Sequence, residues 1–414
     1  LLVVVAIAFV VTAPMRRRAW QEAERLRLEQ RSAVGSPALR RNYELPELLQ
    51  RLSQRPDDVK GLLQAAALYG QQQRYQDALF TLHVAELAAP RNAEVQRALG
   101  EVYWGMRHYD KAMDAYQAAL KLDDKNEETL LRLGYLYVSL GWSTQAREML
   151  KRARAVAPRS ARTLIASAML EMQNANLSAA EEYLRQAEAL QPNSDALCAL
   201  KADVLNKKTK PKEALAMIDK AIALNPRHPA YHITRGDLLL SDPTPANVAE
   251  AEKSYRRALE LDPASVGARI GIGLCYRHQG QEDKAIAELE KIVQLQGEVA
   301  TAVLELARLY LKRGKRTEGQ RLMDSYYRGV KDGNLLKGYN LRAAMSPGDA
   351  NAHFQVGKLQ LKLKDYPRAI VALRRAYQLT PQNPEIRKTY AAALRRVGRW
   401  DEARRVEEGK RKTE

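Results

Sequence analysis

Two cysteines, three phenylalanines and six histidines are all that the 414 residues contain of these types, and each shortage removes a class of protein. Cys198 and Cys275 are too few for a disulfide framework, and no CxxC pair exists to hold zinc. Both fall inside helical patterns, where a cysteine behaves as a small buried hydrophobe. Of the histidines, His83, His108, His228, His232, His278 and His353, only His228 and His232 lie close together, in HPAYH. A metal needs three or four converging ligands, and no carboxylate or cysteine in that stretch completes a set. Gly271-Ile272-Gly273 lacks the preceding strand and the Lys-Ser or Lys-Thr of a phosphate loop, so close helix packing is the expected use of its glycines. No serine stands in a nucleophile-elbow context. Strand formers are scarce after the first dozen residues.

What is abundant points to helices. Hydrophobic residues make up 46% of the chain, enough for a large core, and with phenylalanine nearly absent the apolar content falls on Ala, Leu and Tyr. The net charge is +18, so a partner of negative charge, nucleic acid or an anionic surface, has to be considered. Basic residues are, however, interleaved with Asp and Glu, with modest clusters only at Arg16 to Arg18, Lys207 to Lys212 and Arg395 to Lys412. Mixed charge of this kind belongs to solvated helix faces, and nucleic acid is not the expected partner.

The chain opens on LLVVVAIAFVVTA, thirteen residues without charge, followed by Pro14 and then Arg16-Arg17-Arg18. As a helix this run would reach about 20 Å at ~1.5 Å per residue, short of the roughly 30 Å hydrocarbon core. The sequence starts without Met, so upstream residues are expected to complete a single-pass anchor over 1–14. Val11-Thr12-Ala13 also resembles a signal-peptide cleavage site, but Pro14 after the cut and the arginine triplet favour an uncleaved anchor. The repeats are then expected on the cytoplasmic face, with a periplasmic or other extracytoplasmic face as the alternative. Residues 15–42 read as a charged juxtamembrane stalk, broken at Val34-Gly35-Ser36-Pro37.

From residue 43 the chain repeats itself. Ala78, Ala112, Ala146, Ala180 and Ala214 are spaced by 34 residues, each followed seven residues later by Ala85, Ala119, Ala153, Ala187 or Ala221. Pro90, Asp124, Pro158, Pro192 and Pro226 close the second helix, and Ala66, Gly100, Gly134, Ala168 and Ala202 supply a small residue to the first. Small residues on both helices let two antiparallel helices approach closely. Tyr69, Tyr103 and Tyr137 on the first helices, with Leu82, Tyr116 and Leu150 on the second, fill the space around that contact. Proline ends the second helix. A hairpin of this size cannot bury its own faces, so neighbours must stack.

These positions resemble the tetratricopeptide repeat family, and the resemblance covers most of residues 59–406. It implies an all-α, right-handed superhelical solenoid of about ten helix-turn-helix hairpins, here preceded by the transmembrane helix. The sixth unit carries three extra residues in Ser241-Asp242-Pro243-Thr244-Pro245, the seventh closes on Gly297 instead of proline, and the eighth departs further, with Gly319, Tyr326 and Lys331 on its second helix. Eight repeats are therefore expected over 43–333, an irregular connector or hinge over 334–349, and two further units with a capping tail over 350–414. Since no stretch outside the repeats could hold a catalytic domain, no enzymatic activity, cofactor or metal is expected.

The resemblance also implies that first helices line a concave groove. In units two to four the exposed positions hold Arg97, Trp104, Leu131, Tyr135, Arg162, Ile165, Met169 and Met172, an apolar and aromatic strip of the kind that anchors a protein or peptide partner. Some members of the family clamp a chaperone C-terminal carboxylate with cations and Asn. Arg97, Arg132 and Arg162 are present here, but Glu101 and Ala166 stand where Asn and a second cation would be, which opposes that use. The expected function is a membrane-anchored scaffold or adaptor that assembles other proteins. The alternative, a helical-repeat RNA binder, would need a polar base reader on each successive first helix, which the apolar strip does not provide.

Overall fold

A computed structural model describes residues 37–296 and 299–409. Eight of its ten first helices begin where a short polar side chain can hold free backbone amides: Asp58, Asn92, Asn126, Ser160, Ser194, Ser265, Asp349 and Asn383 each accept a hydrogen bond from the first turn that follows. The turn from first to second helix has its own signature. One residue enters the left-handed region: Gln73, Arg107, Ala175, Thr209 and Lys364 at φ of 58 to 60°, or Gly141, Gly280, Gly314 and Gly398 in the equivalent place. Only the sixth hairpin, with its three extra residues, makes this turn differently.

Left-handed backbone costs an L-residue about 1–2 kcal/mol relative to glycine, and the β-branched Thr209 carries the heaviest steric burden among the five. Thr209→Gly is therefore expected to raise the stability of its unit by about 0.5–1 kcal/mol after the entropy cost of glycine is subtracted. Urea unfolding of the two chains checks this, and a loss of stability would refute it.

The elements are α1 (Pro37–Gln54), followed by ten hairpins: α2 (Val59–Gln71) with α3 (Tyr75–Ala88), α4 (Ala93–Gly105) with α5 (Tyr109–Leu122), α6 (Glu127–Leu140) with α7 (Ser143–Val156), α8 (Ala161–Gln173) with α9 (Leu177–Leu190), and α10 (Asp195–Lys207) with α11 (Pro211–Leu224). The array continues through α12 (Pro229–Leu240) with α13 (Pro245–Leu261), α14 (Val266–His278) with α15 (Glu282–Gln296), α16 (Ala300–Lys312) with α17 (Arg316–Met345), α18 (Ala350–Lys362) with α19 (Tyr366–Leu379), and α20 (Pro384–Arg396) with α21 (Trp400–Glu407). Among the described residues there are 21 helices and no strand. Leu45, Leu48, Leu49 and Leu52 of α1 are buried in the core of the first hairpin, covering an end that stacking would otherwise leave open.

Inside each hairpin the small positions admit a large neighbour. A methyl group on Gly100 would stand 2.5 Å from the ring of Tyr116, and one on Gly134 would stand 2.9 Å from Leu150. First helices of neighbouring hairpins also touch each other, as α2 does α4, α6 does α8 and α12 does α14, whereas consecutive second helices have no comparable contact. The stack consequently bends toward its first helices, and these line the concave side.

Two features differ from the sequence reading. Where an irregular connector was expected over 334–349, α17 runs unbroken for 30 residues to Met345. The expected single-pass membrane placement is corrected as well: among the described residues no helix is long and apolar enough to cross a membrane. The anchor assigned to 1–14, the stalk up to residue 36, Gly297 and the end of the tail lie outside the described residues.

The bend brings hairpins nine and ten back onto hairpins two and three. Val371 of α19 is buried in the same apolar cluster as Tyr116 and Leu120 of α5, and Trp142 meets the His353 ring edge-on at 6.5 Å between centroids. Beside them Arg399 donates two parallel hydrogen bonds to Asp110, at 2.8 and 2.7 Å. Both residues are buried, Asp110 being 2% and Arg399 8% exposed. Glu402 accepts from Arg399 at 3.0 Å and from Lys111 at 2.8 Å, while Arg374 donates to the Asp110 carbonyl at 3.1 Å and pairs with Asp114 at 2.8 Å. Three cations thus meet three carboxylates. Burial is the largest single influence on Asp110 and would raise its pKa, but the Arg399 hydrogen bonds together with the charges of Arg399 and Arg374 outweigh it and hold the carboxyl below its ordinary range. Glu402 is likewise held down, at about 2, by Arg399 and Lys111 against the opposing effect of burial.

Candidate functional site

Three consecutive first helices, α4, α6 and α8, present the strip singled out in the sequence. Each packs its small and Leu positions against its own second helix, so residues on the opposite face turn toward the concave side. Two adjoining clefts result. One, of about 720 Å³, runs between α2 and α4 past Tyr75, Arg97, Glu101 and Trp104. The other, of about 430 Å³, lies between α4 and α6 and is lined by Trp104, Tyr135, Val138, Met169 and the charged pair Glu101 and Arg132. Trp104 and Glu101 belong to both.

The charges along this wall alternate and are satisfied internally. Arg97 donates to Glu101 at 2.5 Å, Arg132 lies 3.7 Å from Glu101 and 2.8 Å from Glu128, and Arg162 reaches Glu128 at 2.6 Å. The hydrogen bond from Arg162 is the main reason that the Glu128 pKa is lowered. Burial raises the pKa of Tyr135, so its phenol stays neutral and can serve as donor or acceptor. With every arginine facing a carboxylate, an incoming carboxylate would have to displace one already there, which agrees with the departure from the chaperone clamp.

Of the eight strip residues, Arg97, Trp104, Tyr135 and Met169 line these clefts, and Arg162 joins them through Glu128. Ile165 is half-buried against the core of the fourth hairpin. Leu131 and Met172 are corrected: both are buried in the core, Leu131 completely, because the neighbouring hairpin covers that side of each first helix. The sequence reading placed Glu101 and Arg132 on this surface only to weigh the carboxylate clamp, and it missed Val138 as a cleft-lining residue. Its helical offset from Tyr135 carried that information.

Elsewhere the two neighbouring histidines are engaged in packing. His232 is buried with Nε2 2.9 Å from the Pro226 carbonyl oxygen, and His228 stacks on Tyr231 at 4.0 Å. Among the described residues no group of three or more His, Cys, Asp or Glu is placed to hold a metal ion. Cys198 and Cys275 are free and buried, and burial, followed by Glu252, pushes the Cys275 thiol up to about 12.

One model of the tetratricopeptide repeat matches residues 103–169 and 360–406, and a second model of the same repeat matches 246–302. The chain therefore carries tetratricopeptide repeats. Anaphase-promoting complex subunit 7 of Mus musculus is 38% identical over 71 residues, which is 17% of this chain and 12% of that protein. The Homo sapiens subunit is 37% identical over 71 residues, again 12% of its length. This chain thus spans only a small part of the relatives it matches. Among solved structures, a monomeric mutant of IFIT1 with Gppp-AAAA is similar at a TM-score of 0.53 and 15% identity, covering 87% of this chain and 94% of that one. Identity that low establishes likeness of fold alone.

Proposed function

We propose that this array of tetratricopeptide repeats is a non-enzymatic scaffold that holds an extended or helical segment of a partner protein in the concave groove of hairpins two to four. The carrying observation is the pair of joined clefts around Trp104, where a large aromatic residue, a tyrosine and a methionine sit beside ion pairs that are already complete. Trp and Tyr anchors of this sort dominate binding energy where they fill a desolvated pocket, and the internally paired arginines set register without demanding a particular charge from the ligand. An amphipathic segment fits this wall best. The match to a subunit of a large assembly supports a role among protein partners.

A helical-repeat RNA binder would instead draw on free cations along the groove, and Arg97, Arg132 and Arg162 are each held by glutamate. Affinity purification with the wild-type chain and with a Trp104→Ala, Tyr135→Ala variant tests the proposal. The variant is expected to lose the partners that cross-link to the groove, and retention of every one of them would end it. Tight, steeply salt-dependent RNA retention in filter binding would favour the RNA reading instead.

A further inference from the structure

Helix α17 carries a second surface, separate from the groove. At about 100° per residue, Ser325, Asp332 and Ala343, its buried positions beyond Gly319, fall within about 20° of one another and face the hairpins. On the opposite side Tyr327, Asn334, Gly338, Leu341 and Met345 fall within about 60°, with Val330 at one edge. Large apolar side chains stand here in solvent: Tyr327 is 61%, Leu341 63% and Met345 77% exposed. From Tyr327 to Lys331 the helix is exposed on every side as it passes from the eighth hairpin to the ninth. A methyl group on Gly338 would meet nothing, so the strip has a shallow notch at its middle.

The flanking charge has one sign. Between Tyr327 and Met345 the only carboxylate is Asp332, which lies on the packed side and is bound to Lys362 at 2.7 Å. Arg342 is held by Asp349 at 2.7 Å. Arg328, Lys331 and Lys337 have no ion-pair partner among the described residues, and Lys331 and Lys337 border the strip on its two sides. A second copy of this chain would bring like charges together, whereas carboxylates flanking an apolar stripe would neutralise them. We infer that this face of α17 docks an acidic amphipathic helix of a partner protein, about 27 Å or five turns long.

The test uses the full chain and two synthetic amphipathic peptides of about 20 residues, both with leucine at heptad a and d positions, one with glutamate and the other with lysine elsewhere. In fluorescence anisotropy the glutamate peptide is expected to bind at least about tenfold more tightly, and to weaken with added salt. Lys331→Glu with Lys337→Glu should reverse the preference, and Leu341→Asp should abolish binding. All three positions are exposed, so circular dichroism should show these variants folded. Trp104→Ala with Tyr135→Ala should leave this binding unchanged, which separates a failure here from a failure of the groove proposal. Equal binding of the two peptides, binding of neither, or a concentration-dependent dimer dissolved by Leu341→Asp would each overturn the inference.

Discussion

Replacing Asp110 with Ala is expected to separate hairpins nine and ten from hairpins two and three. The substitution leaves Arg399 buried with its bidentate partner gone, a loss of about 3–5 kcal/mol when a buried pair is broken from one side. Glu402 and Arg374 cannot compensate, since Glu402 already binds Arg399 and Lys111, and Arg374 is a second cation in the same place. The cheaper outcome is for the contact to part and let Arg399 reach water. Small-angle scattering should then show a larger radius of gyration, and amide exchange should quicken around Tyr109 to Lys111. Asp110→Ala combined with Arg399→Leu removes both charges and should restore the closed form in large part. An unchanged radius together with unchanged stability in the single variant would defeat this account.

The same contact is sensitive to acid. Asp110 and Glu402 have folded-state pKa values below their ordinary range, Glu402 at about 2. Groups depressed in this direction stabilise the closed form fully above the unfolded carboxylate range, near ~4, and lose that contribution as pH falls through the folded values. Opening is therefore expected between about pH 4 and about pH 2, while neutral and mildly alkaline conditions leave the contact closed.

A second large effect is expected at Gly271. A methyl group there would lie 2.3 Å from the ring of Tyr255, whose other side already rests against Gly236, where a methyl group would be at 2.5 Å. The ring is fully buried, and its hydroxyl donates to Asp237 at 2.7 Å. Retreat from Gly271 would press it on Gly236 or break the bond to a carboxyl whose pKa burial already raises. Gly271→Ala should thus cost about 1–3 kcal/mol, seen as an earlier urea transition. Adding Tyr255→Leu should recover part of the loss, since Leu150 and Leu373 occupy the corresponding places opposite Gly134 and Gly357. No loss of stability in Gly271→Ala would show that the sixth and seventh hairpins pack less tightly than described.

The hairpins were legible because each Ala, Gly and Tyr position repeats a contact that geometry imposes anew in every unit. Gly100 facing Tyr116 needs no information from outside its own 34 residues. The length of α17 was not legible for the opposite reason: Gly329, Gly333 and Gly338 each cost a helix about 1 kcal/mol relative to Ala, and read as breakers. The burial of Ala343 and the Asp332–Lys362 pair tie the helix to the next hairpin, and neither contact is visible from the helix's own residues. At the groove, Trp104 and Tyr135 could be placed from helical offsets, whereas the burial of Leu131 and Met172 depends on how far neighbouring hairpins rotate, which a single repeat does not record. The ion pair between Asp110 and Arg399 joins residues 289 apart, and nothing local marks either one.

That separation has a consequence during synthesis. Hairpins made of neighbouring contacts can stack as they leave the ribosome, but at about 5–20 residues per second the chain needs roughly 15–60 s to deliver Arg399 after Asp110 has emerged. For that interval the nascent array is an open coil with Asp110 hydrated and the Tyr116 cluster lacking Val371. Any polypeptide that enters the inner curve before translation ends does so without having to pass the seam that later shuts.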